Sequence, residues 1–118
     1  QADPGFCHVG TRSCWGPQGG LGGLERTIAR RRATGSPGSW TRRLLDEPDL
    51  LDAKIREEAE ELMRARTREE VIWEAADLVY FALVKAAAAD VELADIEREL
   101  DRRARQVRRR DGSAKGAA

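Results

Sequence analysis

Between Gly38 and Gly112 the chain carries no glycine, and a single proline, Pro48, falls in that stretch. Glycine and proline punctuate helices and strands more strongly than any other residues, so so long a run without them reads as helical sequence with short turns. The first 38 residues are the reverse, with nine of the eleven glycines and three of the four prolines. They predict irregular structure around one short helix, Leu21 to about Arg32, with Leu21, Leu24 and Ile28 at helical spacing. Residues 33–38, Ala-Thr-Gly-Ser-Pro-Gly, read as a linker.

Four helices fit the remainder. The first runs from Ser39 to about Leu45. The second opens at Pro48, a favourable first-turn residue, and reaches about Ala65, with Leu51, Ile55, Ala59 and Leu62 as its apolar positions. Thr67 followed by Glu70 is a capping-box pattern that starts a third helix, ending near Ala89. The fourth runs from about Leu93 to Val107, with Leu93, Ile96, Leu100 and Val107 on one face. Asp90 stands at the turn before it and tolerates the left-handed conformation better than most residues. Loops this short join antiparallel neighbours, so the expected fold is an all-α antiparallel helical bundle.

Composition narrows the function classes. The 118 residues suit one domain, and an aromatic content of 5% argues against a sandwich or barrel. No apolar run approaches the ~20 residues of a membrane span. No basic-then-apolar leader opens the chain. A cytoplasmic protein is expected, with no membrane partner, and Cys7 and Cys14 are too few for a disulfide scaffold. The net charge of zero conceals segregation: residues 1–45 hold 7 basic and 2 acidic side chains, and residues 46–77 hold 5 and 12. Residues 78–97 hold 1 and 4, and residues 98–118 hold 8 and 3. An acidic middle between basic ends suits a divalent cation at the centre and a polyanion at the rim. Solvated helix faces laced by i,i+4 pairs would give the same counts. The basic run from Arg102 to Arg110 lacks interleaved aromatics, so no nucleic-acid partner is expected.

The third helix is apolar on two sides. Val71, Ala75, Leu78 and Ala82 make one stripe, and Trp73, Tyr80 and Ala87 lie roughly opposite. One chain of this size cannot cover both, so the helix reads as a subunit interface, most simply of a two-fold homodimer. The competing reading packs Trp73 and Tyr80 beneath the N-terminal segment.

The decisive feature is a set of misplaced carboxylates. On a helical wheel with Leu51 at zero, Ile55, Leu62 and Ala59 fall between about 20° and 80°, and Glu58 falls at about −20°, inside that apolar stripe. Lys54, Glu61 and Glu57 flank it. The third helix repeats the arrangement, with Glu74 beside the Val71 stripe and Asp77 farther round. A carboxylate in an apolar stripe is costly unless paired or metal-bound. Four or five acids facing one another raise each other's pKa unless something positive sits among them, and Lys54 alone does not suffice. Mg²⁺, a hard cation that takes oxygen ligands, does.

The spacing is Glu57-Glu58-x-x-Glu61, then Glu74-x-x-Asp77. With it the sequence resembles the all-α nucleoside triphosphate pyrophosphohydrolases of the MazG-like group. Gly38-Ser39-Trp40-Thr41, Arg43-Leu44, Lys54 to Glu61, Glu74 to Phe81, and Leu100 to Arg103 with Val107 to Arg110 bring it closest to the phosphoribosyl-ATP pyrophosphohydrolases of histidine biosynthesis. That resemblance covers residues 36–112, with 113–118 as a flexible tail. It implies hydrolysis of phosphoribosyl-ATP to phosphoribosyl-AMP and pyrophosphate, with Mg²⁺ on Glu58, Glu61, Glu74 and Asp77. Glu57 would be a further ligand or a general base. Lys54 is placed to contact the triphosphate; Arg102 and Arg103 could clamp phosphates, a dimer partner's among them, or form a solvated face. Ser39 and Thr41 would touch the ribose phosphates. Two departures stand out: Trp40 where tyrosine is more usual, and Asp90-Val91-Glu92 in place of Gly-Val-Ser, which should deprive the last helix of a good N-cap.

Residues 7–15, Cys-His-Val-Gly-Thr-Arg-Ser-Cys-Trp, resemble the C-terminal end of a phosphoribosyl-AMP cyclohydrolase, where such a cysteine pair supplies two of three zinc thiolates. Residues 1–35 are then expected to be a truncated remnant of that domain plus a linker, and the parent a bifunctional or trifunctional enzyme. Cys7 and Cys14 alone should hold Zn²⁺ poorly, since a zinc site needs at least three protein ligands. Two rival readings stand beside this one: a house-cleaning pyrophosphohydrolase of non-standard nucleotides, and a non-catalytic helical dimerisation module within a fusion protein.

Overall fold

The computed structural model describes residues 19–35 and 38–109, with side chains to residue 106. The expectations for Cys7, Cys14 and the 113–118 tail lie outside the described residues. Five helices follow one another: α1 (Gly20–Thr34), α2 (Trp40–Asp46), α3 (Pro48–Arg64), α4 (Arg68–Ala88) and α5 (Leu93–Arg109). Among the described residues there is no strand, as the all-α expectation requires.

The helix boundaries follow local chemistry. Ser39 caps α2 by accepting from the Arg42 N–H at 3.0 Å. Pro48 opens α3, with Asp49 in its first turn. Thr67 and Glu70 form a complete capping box at the start of α4: Thr67 Oγ1 accepts from the Glu70 N–H at 3.1 Å, and Glu70 accepts from the Thr67 N–H at 3.2 Å. Asp90 adopts the left-handed conformation expected of it, with φ of 59°.

The last helix does have a cap, supplied from elsewhere in the chain. A carboxylate oxygen of Glu25, on α1, accepts from the Leu93 N–H at 2.7 Å, and Asp95 accepts from the Glu92 N–H at 2.9 Å. Arg32 of α1 clasps the same corner, donating to the Ala87 carbonyl at 2.7 Å and to Asp90 at 2.9 Å. Helix α1 is therefore packed as part of the bundle. It runs on to Thr34, taking in the first two residues of the predicted linker, and Leu24 and Ile28 are buried in the core.

The core comprises Leu24 and Ile28 of α1, Leu44 of α2, Leu51 of α3, and Tyr80, Phe81, Leu83 and Val84 of α4. Of the two apolar sides of α4, the core takes that of Tyr80. Tyr80 is fully buried, with Ala87 packed against the core, whereas Val71 and Ala82 of the other stripe are exposed. The physical reason is that α4 is apolar nearly all round, so its wheel has no preferred side. Tyr80 is thus a core residue and not an interface residue; Trp73, at the same angle but near the start of α4, is 54% exposed. Val71, Ile72 and Val79 of α4 and Met63 of α3 are also exposed apolar side chains among the described residues.

Candidate active site

The antiparallel hairpin of α3 and α4 is the most extensive packing in the chain. It brings residues equidistant from its turn face to face. Glu58 of α3 thereby meets Glu74 and Asp77 of α4, each offering a carboxylate oxygen within 4.8 Å of the others. Glu58 is 8% exposed, as its position in the apolar stripe predicts, and shares the inner face of α3 with Leu51. Its carboxyl is pushed up to about 7. Burial is the main cause, followed by a hydrogen bond with Glu74 and the negative fields of Asp77 and Glu74; Lys54 opposes them. The three groups that meet are all carboxylates, so every donor is a hard oxygen. That donor set fits Mg²⁺ or a similar divalent cation.

The other predicted residues are distributed around this centre. Glu61, one turn beyond Glu58, is outside the three convergent acids and lies 3.7 Å from Arg64. Glu57 is exposed and accepts from Lys54 at 3.2 Å. Lys54 is largely buried along its side chain and lies over the Phe81 ring, 5.9 Å from its centroid. Arg102 and Arg103, on α5, are both paired with Glu99, whose carboxyl they hold down at about 2. Ser39 is engaged as the α2 cap.

Thr41 requires correction. It is 1% exposed, and its hydroxyl shares a 2.6 Å hydrogen bond with the Tyr80 hydroxyl inside the core, so no substrate phosphate reaches it. Thr41→Val should remove the buried Thr41–Tyr80 hydrogen bond and cost about 0.5–1.5 kcal/mol of stability, with KM unchanged. Denaturant unfolding and steady-state kinetics check both parts. Sequence reasoning also passed over Phe81. Its ring is edge-on to Tyr80 and Trp40, at centroid distances of 5.0 and 6.5 Å. Only the side of α4 that carries Glu74 and Asp77 hinted at which aromatic residues would stand beside the acids.

A groove of about 790 Å³ lies elsewhere, between α1, the end of α4 and the start of α5, and no member of the acid cluster lines it.

Residues 21–104 match the family model for phosphoribosyl-ATP pyrophosphohydrolase, a span that takes in α1 and the whole carboxylate cluster. The chain belongs to the phosphoribosyl-ATP pyrophosphohydrolase family. It is similar to a histidine biosynthesis bifunctional protein of Schizosaccharomyces pombe, 50% identical over 99% of this chain and 28% of that protein. It is equally similar to a histidine biosynthesis trifunctional protein of Saccharomyces cerevisiae, 50% identical over 98% of this chain and 14% of that one. A bifunctional protein of Gloeobacter violaceus is 39% identical over 84% of this chain and 51% of its own length. The chain thus spans between a seventh and half of these relatives. No solved structure matches it significantly. The family is one of hydrolases that use a divalent metal. No helix among the described residues is long and apolar enough to cross a membrane.

Proposed function

We propose that this domain catalyses Mg²⁺-dependent hydrolysis of phosphoribosyl-ATP to phosphoribosyl-AMP and pyrophosphate in the cytoplasm, as one part of a multifunctional enzyme. The observation that carries this is the convergence of Glu58, Glu74 and Asp77 on one point. Those three residues would hold the cation, with Glu61 as a further ligand from the next turn of α3. When bound, Mg²⁺ supplies charge neutralisation for the phosphoanhydride and acidifies water at the site.

The remaining work belongs to the chain's own groups. Among the described residues there is no histidine and hence no Ser-His or Cys-His pair to serve the acid cluster, so water is the nucleophile. It forms one P–O bond as the anhydride P–O bond breaks and pyrophosphate leaves. Glu57, exposed and adjacent to Glu58 in sequence, would take the proton that water loses. Lys54 binds the polyphosphate as a point charge. The buried side of Glu58 keeps bulk water from the inner edge of the site.

Phosphoribosyl-ATP and a panel of deoxynucleoside triphosphates, each assayed for pyrophosphate release with Mg²⁺, separate the readings. A preference for phosphoribosyl-ATP of at least about 100-fold in kcat/KM is expected. Equal or better turnover of the deoxynucleotides would favour a house-cleaning role, and no turnover of either would favour a dimerisation module.

A second copy is the proposed cover for Met63, Val71, Ile72 and Val79, apolar side chains exposed among the described residues. Sedimentation should give a dimer, and Val79→Asp a monomer; a monomeric wild-type chain would contradict this.

A further inference from the structure

Lys54 stands on α3 one turn before Glu58, and its ammonium lies over the face of Phe81, 5.9 Å from the ring centroid. That ring is fixed. Phe81 is 4% exposed and meets Tyr80 and Trp40 edge-on, with interplanar angles of 63° and 83°. Tyr80 is itself anchored to α2 by the buried bond to Thr41. Lysine has a flexible four-carbon stem and loses rotamer freedom when ordered. The other partner of its ammonium is Glu57, which is exposed and draws it towards solvent. An aromatic face attracts a cation through its quadrupole and holds it without neutralising it, leaving N–H donors beyond the one given to Glu57 for a phosphate.

We propose that Phe81 is a positioning residue for the reaction: its ring face holds the Lys54 ammonium at the carboxylate site, preset to receive the substrate's polyphosphate. The proposal rests on the reading of Lys54 as a phosphate contact. It differs from ordinary core packing because it depends on the electron density of the ring, not on its volume.

The test replaces Phe81 with phenylalanines bearing one, two and three ring fluorines, in the full chain and in the Lys54→Met variant. Fluorine empties the ring face with little change of shape. KM for phosphoribosyl-ATP and the Kd of magnesium pyrophosphate should climb stepwise with fluorine number, reaching about three- to tenfold, with kcat nearly constant. In Lys54→Met the series should be flat. A flat series in the wild-type background, with KM raised by Lys54→Met, would overturn the role of Phe81 and leave Lys54 as the phosphate contact. Equal rises in both backgrounds would assign Phe81 to packing alone and overturn the proposal. If Lys54→Met leaves both KM and Kd unchanged, the phosphate contact itself fails, and the proposal with it.

Discussion

Glu58→Gln is expected to lower kcat/KM for phosphoribosyl-ATP by about 100- to 1,000-fold while the metal-free chain folds as well as, or better than, the wild type. The two halves have one cause. Glutamine keeps the shape and most of the hydrogen bonding of the Glu58 carboxyl but cannot carry its charge. Removing an electrostatic group that acts on the reacting phosphates costs about 10²–10³ in rate. In the absence of metal, that charge is a burden: Glu58 is buried and faces Glu74 and Asp77, and these acids oppose its ionisation. Without it the repulsion falls. A residue kept for packing would behave the other way, losing stability with little loss of turnover. Pyrophosphate release and denaturant unfolding on the same preparations separate the two outcomes.

The stability of the metal-free chain should fall as pH rises from about 4.5 to about 7, and Mg²⁺ should cancel that fall. In the unfolded chain Glu58 titrates at its ordinary value of 4.5; in the folded chain its carboxyl is pushed up to about 7. Between those values the folded state binds more protons than the unfolded one, so stability declines with pH and levels off above 7. The expected loss is about 3 kcal/mol. Glu70, held below the usual carboxylate range by the Arg66 and Thr67 N–H groups, and Glu99, held at about 2 by Arg102 and Arg103, act below this window. Glu58→Gln should flatten the profile. A saturating cation replaces the proton, and at 100 times its Kd adds about 2.7 kcal/mol. Thermal melts across pH 4.5–8, with and without Mg²⁺, read all of this. A profile that rises steadily over that range and ignores Mg²⁺ would contradict it.

What the sequence showed, and what it hid, divides along physical lines. Local signals were legible. The Thr67–Glu70 box, Pro48 at the start of α3 and the left-handed Asp90 are each decided within a few residues. The burial of Glu58 was legible because α3 is amphipathic, and a charged residue on an otherwise apolar stripe contradicts the pattern around it. The orientation of α4 was not, because its apolar residues occur at every angle; only tertiary packing chooses Tyr80 over Val71 for the core. The α5 cap was invisible for a different reason. Glu25 is 68 residues from the N–H it caps, and no spacing rule connects them. Thr41 misled because a threonine beside a recognisable motif reads as a ligand, whereas its partner is a tyrosine on another helix.

The most direct test of the account is Mn²⁺ binding followed by electron paramagnetic resonance at pH 7.5, with Mn²⁺ standing in for Mg²⁺ on the wild-type chain, Glu58→Gln and Asp77→Asn. The account predicts a saturable signal in the wild type that Mg²⁺ displaces, weakened at least about tenfold in each variant. Equal binding by all three chains, or none by the wild type at millimolar Mn²⁺, would contradict it.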